Sequence, residues 1–303
     1  MNEKEPSGVL IVNKHSGATS HDIVNKIRRL YGTKRVGHTG TLDPMASGVL
    51  VVLIGRAAKA AEYLVSDKKR YRASMKLGIT TDTEDTSGNI LSVCDKLPLA
   101  DDVIAATKGF VGKYDQIPPM YSALKVNGQK LCDLARKGVS IERQPRTVEI
   151  FSLDITPSEH GTYELDVCCS SGTYIRTLCA DIGARLGCGA AMASLERTEA
   201  GGFVIERSTK ISELEEMSIE DRLSLLIPTE SLFSSLPIVN LPAFYEKLCR
   251  NGCEIYQSKI KTDMPSETRV RLYGSGGFFA LGEVKDYPNG TAIKAIKFFE
   301  LDK

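Results

Sequence analysis

The 303-residue sequence offers little with which to hold a metal: its four histidines (His15, His21, His38 and His160) stand apart from any cysteine pair. Its eight cysteines come close together only at Cys168-Cys169 and at Cys249 and Cys253, and neither has zinc-ligand spacing. No structural or catalytic metal is expected. Long apolar runs are also missing, since no segment approaches the ~20 apolar residues that a bilayer-crossing helix needs. The start, Met1 to Ser7, is polar and mixed in charge, without the apolar stretch of a secretion signal. Cysteines without such a signal imply reduced thiols and a cytoplasmic protein. Nor does one charge dominate: 39 Lys and Arg against 38 Asp and Glu leave a net +1. Repeats and low-complexity tracts are absent, which excludes solenoids and arrays.

What is present suits a soluble protein, with 42% hydrophobic residues and length for one large domain plus a small one. The balanced charge is unevenly spread. From Met1 to Arg72 there are thirteen Lys and Arg against six Asp and Glu, and from Lys108 to Val148 eight against three. Acidic stretches at 82–102 and 206–230 compensate, so a near-neutral total conceals basic surface of the kind that phosphate binding requires. Taken alone, such charge runs are most often solvated surface.

Periodicity supplies the elements. Gly8 to Asn13 reads as a strand, and Ser20 then caps an amphipathic helix with Ile23, Val24, Ile27 and Leu30 at helical spacing, closed by Gly32. Val49 to Ile54 reads as a buried strand, Arg56 to Ser66 as a helix, and Lys69 to Gly78 as a strand with Tyr71, Ala73, Met75 and Leu77 on one face. Asp101 and Asp102 open another helix. The stretch 116–146, with Pro118-Pro119, Tyr121 and several Lys and Arg, reads as a basic appendage rather than core. Two strands follow, Val148 to Ile155 and Thr162 to Cys169, and then Ser171 to Arg176 turns into a helix lined by Leu178, Ile182 and Leu186. Pro, Ser and Thr at 227–242 mark a linker to a β-rich module. The expected domains are therefore 1–230 and 231–303, in the α/β class.

The most informative segment is Gly37-His38-Thr39-Gly40-Thr41-Leu42-Asp43-Pro44. It sets a carboxylate near a histidine at the mouth of a buried strand, on a loop that the glycines let turn and Pro44 stiffens. An Asp-Pro by itself does no more than cap a turn. Here the neighbours matter. The Gly37 to Gly48 run, Gly8 to Lys14 with Thr19-Ser20, Arg70-Tyr71-Arg72 with the Thr81 to Asp85 loop, Pro118 to Lys125, and Ser171 to Leu178 followed by Leu195 to Phe203 together resemble, in order, the motifs of the bacterial tRNA pseudouridine-55 synthases. The resemblance runs from about Gly8 to about Phe203, and Gly277 to Val284 is similar to the small PUA-like RNA-binding module that ends many such enzymes. The chain departs from the pattern at His15, where the family has proline, and at Cys132, where an aromatic is usual.

The resemblance implies an α+β core with a largely antiparallel sheet and flanking helices, and isomerisation of a uridine in the T-loop of tRNA. That reaction breaks the bond between ribose C1′ and uracil N1 and rejoins the base through C5, so it calls for no cofactor. By the same resemblance Asp43 acts at the sugar, as nucleophile or as the base of a glycal route. Arg176 is its fixed cation, a bidentate fork, and Tyr71 stacks on the extruded uracil. His38 fills the gap left by the flipped base. Leu195 lines the uracil pocket, Lys14 supports the loop, and Tyr174 and Lys59 join the substrate contacts. Lys26, Arg28, Arg29, Lys34, Arg35, Lys125 and Lys130 would meet phosphate, with the T-arm as partner and the chain a monomer. Two other readings stay open, a guide-RNA-dependent synthase subunit and a tRNA-binding folding chaperone.

Overall fold

The computed structural model describes residues 5–63, 68–122, 124–126 and 128–299. Its centre is a ten-stranded sheet in which β1 (Gly8–Lys14) and β3 (Ser47–Ile54) lie antiparallel, in register from Gly8 against Ile54 to Lys14 against Gly48. Both strands are apolar at nearly every position because both faces are covered. On one side Leu10, Val12, Leu50, Val52 and Ile54 meet Ile23, Val24 and Ile27 of helix α1 (Ser20–Leu30). On the other, Val9, Ile11, Val49, Val51 and Leu53 meet Phe233, Leu281 and Phe299. A strand buried on both faces loses the alternation of a half-exposed one.

Strand β2 (Val36–His38) adds to β3, and β4 (Lys69–Leu77) buries Tyr71, Ala73, Met75 and Leu77, as its alternation predicts. Beyond β4 the sheet continues antiparallel through Thr162–Cys169, Arg146–Pro157 and Gly112–Gln116. Ala190–Ala200 bridges the halves, antiparallel to β4 and parallel to β3 over Glu196 and Arg197. The class is thus mixed α and β with a largely antiparallel sheet. Helices α2 (Ala100–Lys108) and α4 (Ile175–Leu186) cover the β4 side, with Leu178, Cys179 and Ile182 fully buried. A second, five-stranded sheet spans residues 238–298 around its own core of Val270, Leu272, Phe279 and Ile293. Among the described residues no helix is long and apolar enough to cross a membrane.

Three expectations need correction. Helix α1 is capped by Thr19, not Ser20: the Thr19 hydroxyl accepts from the Asp22 amide at 3.1 Å, and the Asp22 carboxylate accepts from the Thr19 amide at 2.9 Å. Ser20 is thereby freed for the loop described below. The segment expected as a helix from Arg56 is a 3₁₀ helix over Gly55–Tyr63, and residues 64–66 lie outside the described ones. The 227–242 stretch is no open linker, because Ile227 bridges to Val9 and Phe233 is buried against β1 and β3. Between residues 116 and 146 the described residues are mostly exposed or half-buried. The segment folds back through the short helix α3 (Leu131–Arg136), whose Leu131 is buried, and walls the cleft that Asp43 faces.

Candidate active site

Loop 39–46 joins β2 to β3 without regular structure, yet its carbonyls are tied along most of its length. The six carbonyls from Gly40 to Met45 each accept a hydrogen bond. Arg197 Nη2 donates to Gly40 O at 3.0 Å and Nη1 to Thr41 O at 3.4 Å; the Ser20 hydroxyl donates to Leu42 O at 3.1 Å. The Ala46 amide donates to Asp43 O, the Gly17 amide and Lys14 Nζ to Pro44 O, and the Ser16 hydroxyl to Met45 O. A loop whose carbonyls are held in this way has few ways to move. Its rigidity comes mainly from donors on other elements. Gly37 and Gly40 do not take positive φ; the glycine that the backbone requires is Gly48, at φ +101°, where a Cβ would sit 2.2 Å from the Arg197 carbonyl oxygen.

This loop presents the Asp43 carboxylate, about one-third exposed, to a cleft of about 940 Å³. Arg176 Nε meets Asp43 Oδ2 at 2.8 Å. The expected bidentate fork is not formed, because the other two nitrogens are used elsewhere: Nη1 donates to Thr83 O at 3.0 Å and Nη2 to Tyr121 O at 2.9 Å. Arg176 is itself buried, and Asp85 Oδ2 lies 3.9 Å from Nη1. One guanidinium therefore joins the carboxylate loop, the acidic turn after residue 81 and the 116–146 segment. Glu84, in that turn, stands at φ +64° and accepts a 2.6 Å hydrogen bond from Thr177 on α4. Burial raises the pKa of Glu84.

Tyr71, Leu195, His38 and Tyr174 line the same cleft as Asp43 and Arg176. Tyr71 is buried by β4, and burial pushes its phenol pKa up, with the nearby Arg197 guanidinium acting in the opposite direction. Burial, with Arg197 nearby, lowers the pKa of His38, so the imidazole is neutral at pH 7. Its Nδ1 is buried without a hydrogen-bond partner. Lys14 stands behind the loop rather than in the cleft, wholly buried, its Nζ donating to His15 O, Ala18 O and Pro44 O; burial lowers its pKa to about 8.

Lys59 is not brought to the site. It sits on the 3₁₀ helix and donates to Phe298 O at 3.4 Å, beside the second sheet. Of the basic groups expected at phosphate, Lys26 pairs with Glu215 at 2.9 Å and Arg35 with Glu5 at 3.0 Å, while Arg28 donates to Asn25 and Val36. Arg29, Lys34 and Lys125 are exposed, and the side chain of Lys130 lies outside the described residues. His15 is exposed, and Cys132 lines the cleft from α3. Sequence reasoning gave no role to Asp85, Lys69 or Arg197. A period-two signal was available for the last: Leu195 and Arg197 are two apart on one strand and share a face.

Comparison with known proteins gives this geometry a context. Residues 28–175 match the N-terminal domain model of the TruB family of pseudouridylate synthases, and residues 176–234 match the C-terminal domain model of tRNA pseudouridylate synthase B. The tRNA pseudouridine synthase B of Clostridium kluyveri is 42% identical over 96% of this chain and 99% of its own length. That of Alkaliphilus oremlandii is 41% identical over 97% and 98%. Among solved structures, a Cbf5-Nop10-Gar1 complex superposes with a TM-score of 0.73 at 26% identity, covering 97% of this chain and 85% of that one. With both domain models matched and relatives about 40% identical over nearly the whole length, the chain belongs to the TruB family of pseudouridylate synthases.

Proposed function

We propose that this protein isomerises uridine to pseudouridine in tRNA, at position 55 of the T-loop. The observation that carries the reading is the Asp43–Arg176 pair: a partly exposed carboxylate on a loop tied through its carbonyls, held by a buried guanidinium that lines the same cleft. The chemistry follows from that placement. A uridine inside a folded loop must swing out to reach the cleft, at a cost of a few kcal/mol in lost stacking. Asp43 then meets ribose C1′, either adding to it as the N1–C1′ bond breaks or removing a ribose proton in a glycal route. Arg176 aims the carboxylate. Tyr71 and Leu195 form the walls against which the detached uracil turns, and a stacked aromatic is worth roughly 1–3 kcal/mol per base.

His38 suits the role of wedge, since a neutral ring enters a base stack without bringing in a charge. Exposed Arg29, Lys34 and Lys125 supply sequence-independent attraction to phosphate, with the wall at 116–146 gripping the T-arm. Lys14 supports the loop from behind, as Tyr174 does the wall. The small C-terminal sheet is read as the PUA-like module, and the enzyme as a cytoplasmic monomer. Identity of 42% to a tRNA pseudouridine synthase B, against 26% to Cbf5, favours this over a guide-RNA-dependent subunit.

The test is a T-arm minihelix incubated with purified protein alone and analysed for pseudouridine by mass-tagging. Wild type is expected to form product, and Asp43→Asn to bind the RNA without forming it. An unmodified transcript with wild type would remove the reading, and product from Asp43→Asn would move the chemistry to another residue.

A further inference from the structure

Arg197 is 1% exposed and is, among the described residues, the largest fully buried side chain. Burying a cation costs several kcal/mol unless it is compensated, and a carboxylate is the usual partner. Among the described residues Arg197 has none at ion-pair distance. Its aligned bonds go to three carbonyls, Nε to Val49 O at 2.8 Å besides those to Gly40 and Thr41. These fix the guanidinium plane but leave its charge unneutralised. The strand register decides what that charge faces. Arg197 stands directly opposite Tyr71 across the antiparallel pair with β4, so the two side chains project from the same face as neighbours.

We propose that Arg197 is a positioning residue that acts through Tyr71, holding the phenol oxygen in one direction over the cleft. The inference rests on the isomerase reading above. An arginine has donors only, so the phenol oxygen must accept from it, and the tyrosine's own proton is left to point toward the base. A fixed cation behind the ring also favours any negative charge that develops on the phenol oxygen or on the detached uracil. The Arg197 side chain is near enough to the phenol to oppose the effect of burial on it. Neither the carbonyl bonds nor the register requires arginine for stability alone, since a neutral amide could serve part of the same set. The charge is what needs a purpose.

The experiment compares Arg197→Gln, Arg197→Lys, Tyr71→Phe and the double variant Arg197→Gln/Tyr71→Phe, using single-turnover rates on T-arm RNA and separate RNA affinities. Arg197→Gln is expected to slow the reaction ~100-fold or more with affinity within about threefold of wild type, and Arg197→Lys to restore part of the rate. If Arg197 works through Tyr71, the double variant falls short of the product of the two single losses by at least about tenfold. Losses that multiply fully overturn the proposal, because a loop-supporting arginine would be indifferent to the tyrosine hydroxyl. Should Arg197→Gln fail to fold, the question passes to Tyr71→Phe. Nitrogen NMR of the Arg197 guanidinium must then differ from wild type, and an unchanged spectrum overturns the proposal equally. A wild-type protein that makes no pseudouridine would instead refute the reaction itself, whatever the variants do.

Discussion

Replacing Arg176 with lysine tests whether one guanidinium holds three elements together. In the wild type Nε serves Asp43, Nη1 serves Thr83 O and Nη2 serves Tyr121 O, all within 3.0 Å and almost out of solvent. A lysine ammonium keeps the charge but cannot span the three directions. If it stays with Asp43, two carbonyls lose their donor, at about 1–3 kcal/mol each where water cannot enter. If it drifts toward Asp85, the charge-assisted bond to Asp43 is lost, worth about 1.5–3 kcal/mol. Expressed in the transition state, that second loss alone slows the reaction roughly 10- to 150-fold at 1.36 kcal/mol per tenfold. Releasing Tyr121 O also loosens the wall at 116–146, so RNA affinity should fall with the rate. Single-turnover kinetics, RNA titration and limited proteolysis read the three effects separately. A turnover within threefold of wild type would refute the reasoning, and so would a rate loss with the wall's protease sensitivity unchanged.

Burial raises the Asp181 carboxyl from 3.8 to about 6, with the Glu84 charge adding to it. The folded protein thus holds this proton more tightly than the unfolded chain does, and the contribution is complete below pH 3.8 and lost as pH rises through about 6. Asp181→Asn should therefore be more stable than wild type at pH 7.5 by about 1–3 kcal/mol, a range reduced for partial exposure; equal urea midpoints there would contradict the assignment. Gly48→Ala must place its Cβ against the Arg197 carbonyl and adopt a left-handed φ. A loss of at least ~2–4 kcal/mol in thermal or urea unfolding is expected, and wild-type stability would show that the strands can part. RNA affinity should fall linearly in log–log plots against salt, and replacing Arg29, Lys34 and Lys125 with glutamine should reduce the slope by about 2–3. An unaltered slope would put the phosphate contacts elsewhere.

Much of this molecule is legible in its sequence because local patterns dictate it. Alternation over Tyr71, Ala73, Met75 and Leu77 gives β4 and its buried face, and the ordered motifs bring Asp43, Tyr71 and Arg176 to one cleft. What eludes the sequence depends on partners distant along the chain. Arg176 is not a fork on Asp43, because Thr83 and Tyr121 compete for its nitrogens, and no spacing rule reports that contest. Thr19 displaces Ser20 as the helix cap because the Ser20 hydroxyl has a better use 22 residues away, at Leu42. The rigidity of loop 39–46 looked like a property of its own glycines and proline, and is instead supplied largely from outside by Lys14, Ser16, Ser20 and Arg197. Lys59 was expected at the substrate, yet the 3₁₀ helix that carries it turns it toward Phe298.

The two-sided cover on β1 and β3 bears on how the molecule must be inherited. Phe233, Leu281 and Phe299 press on the reverse of the strands whose far edge feeds the reactive loop. A chain cut short after residue 230 would bare that reverse side to water, and Asp43 would drift without having lost a single neighbour of its own. The trailing sheet is in this sense a foundation, set beneath the strands that lead into the loop.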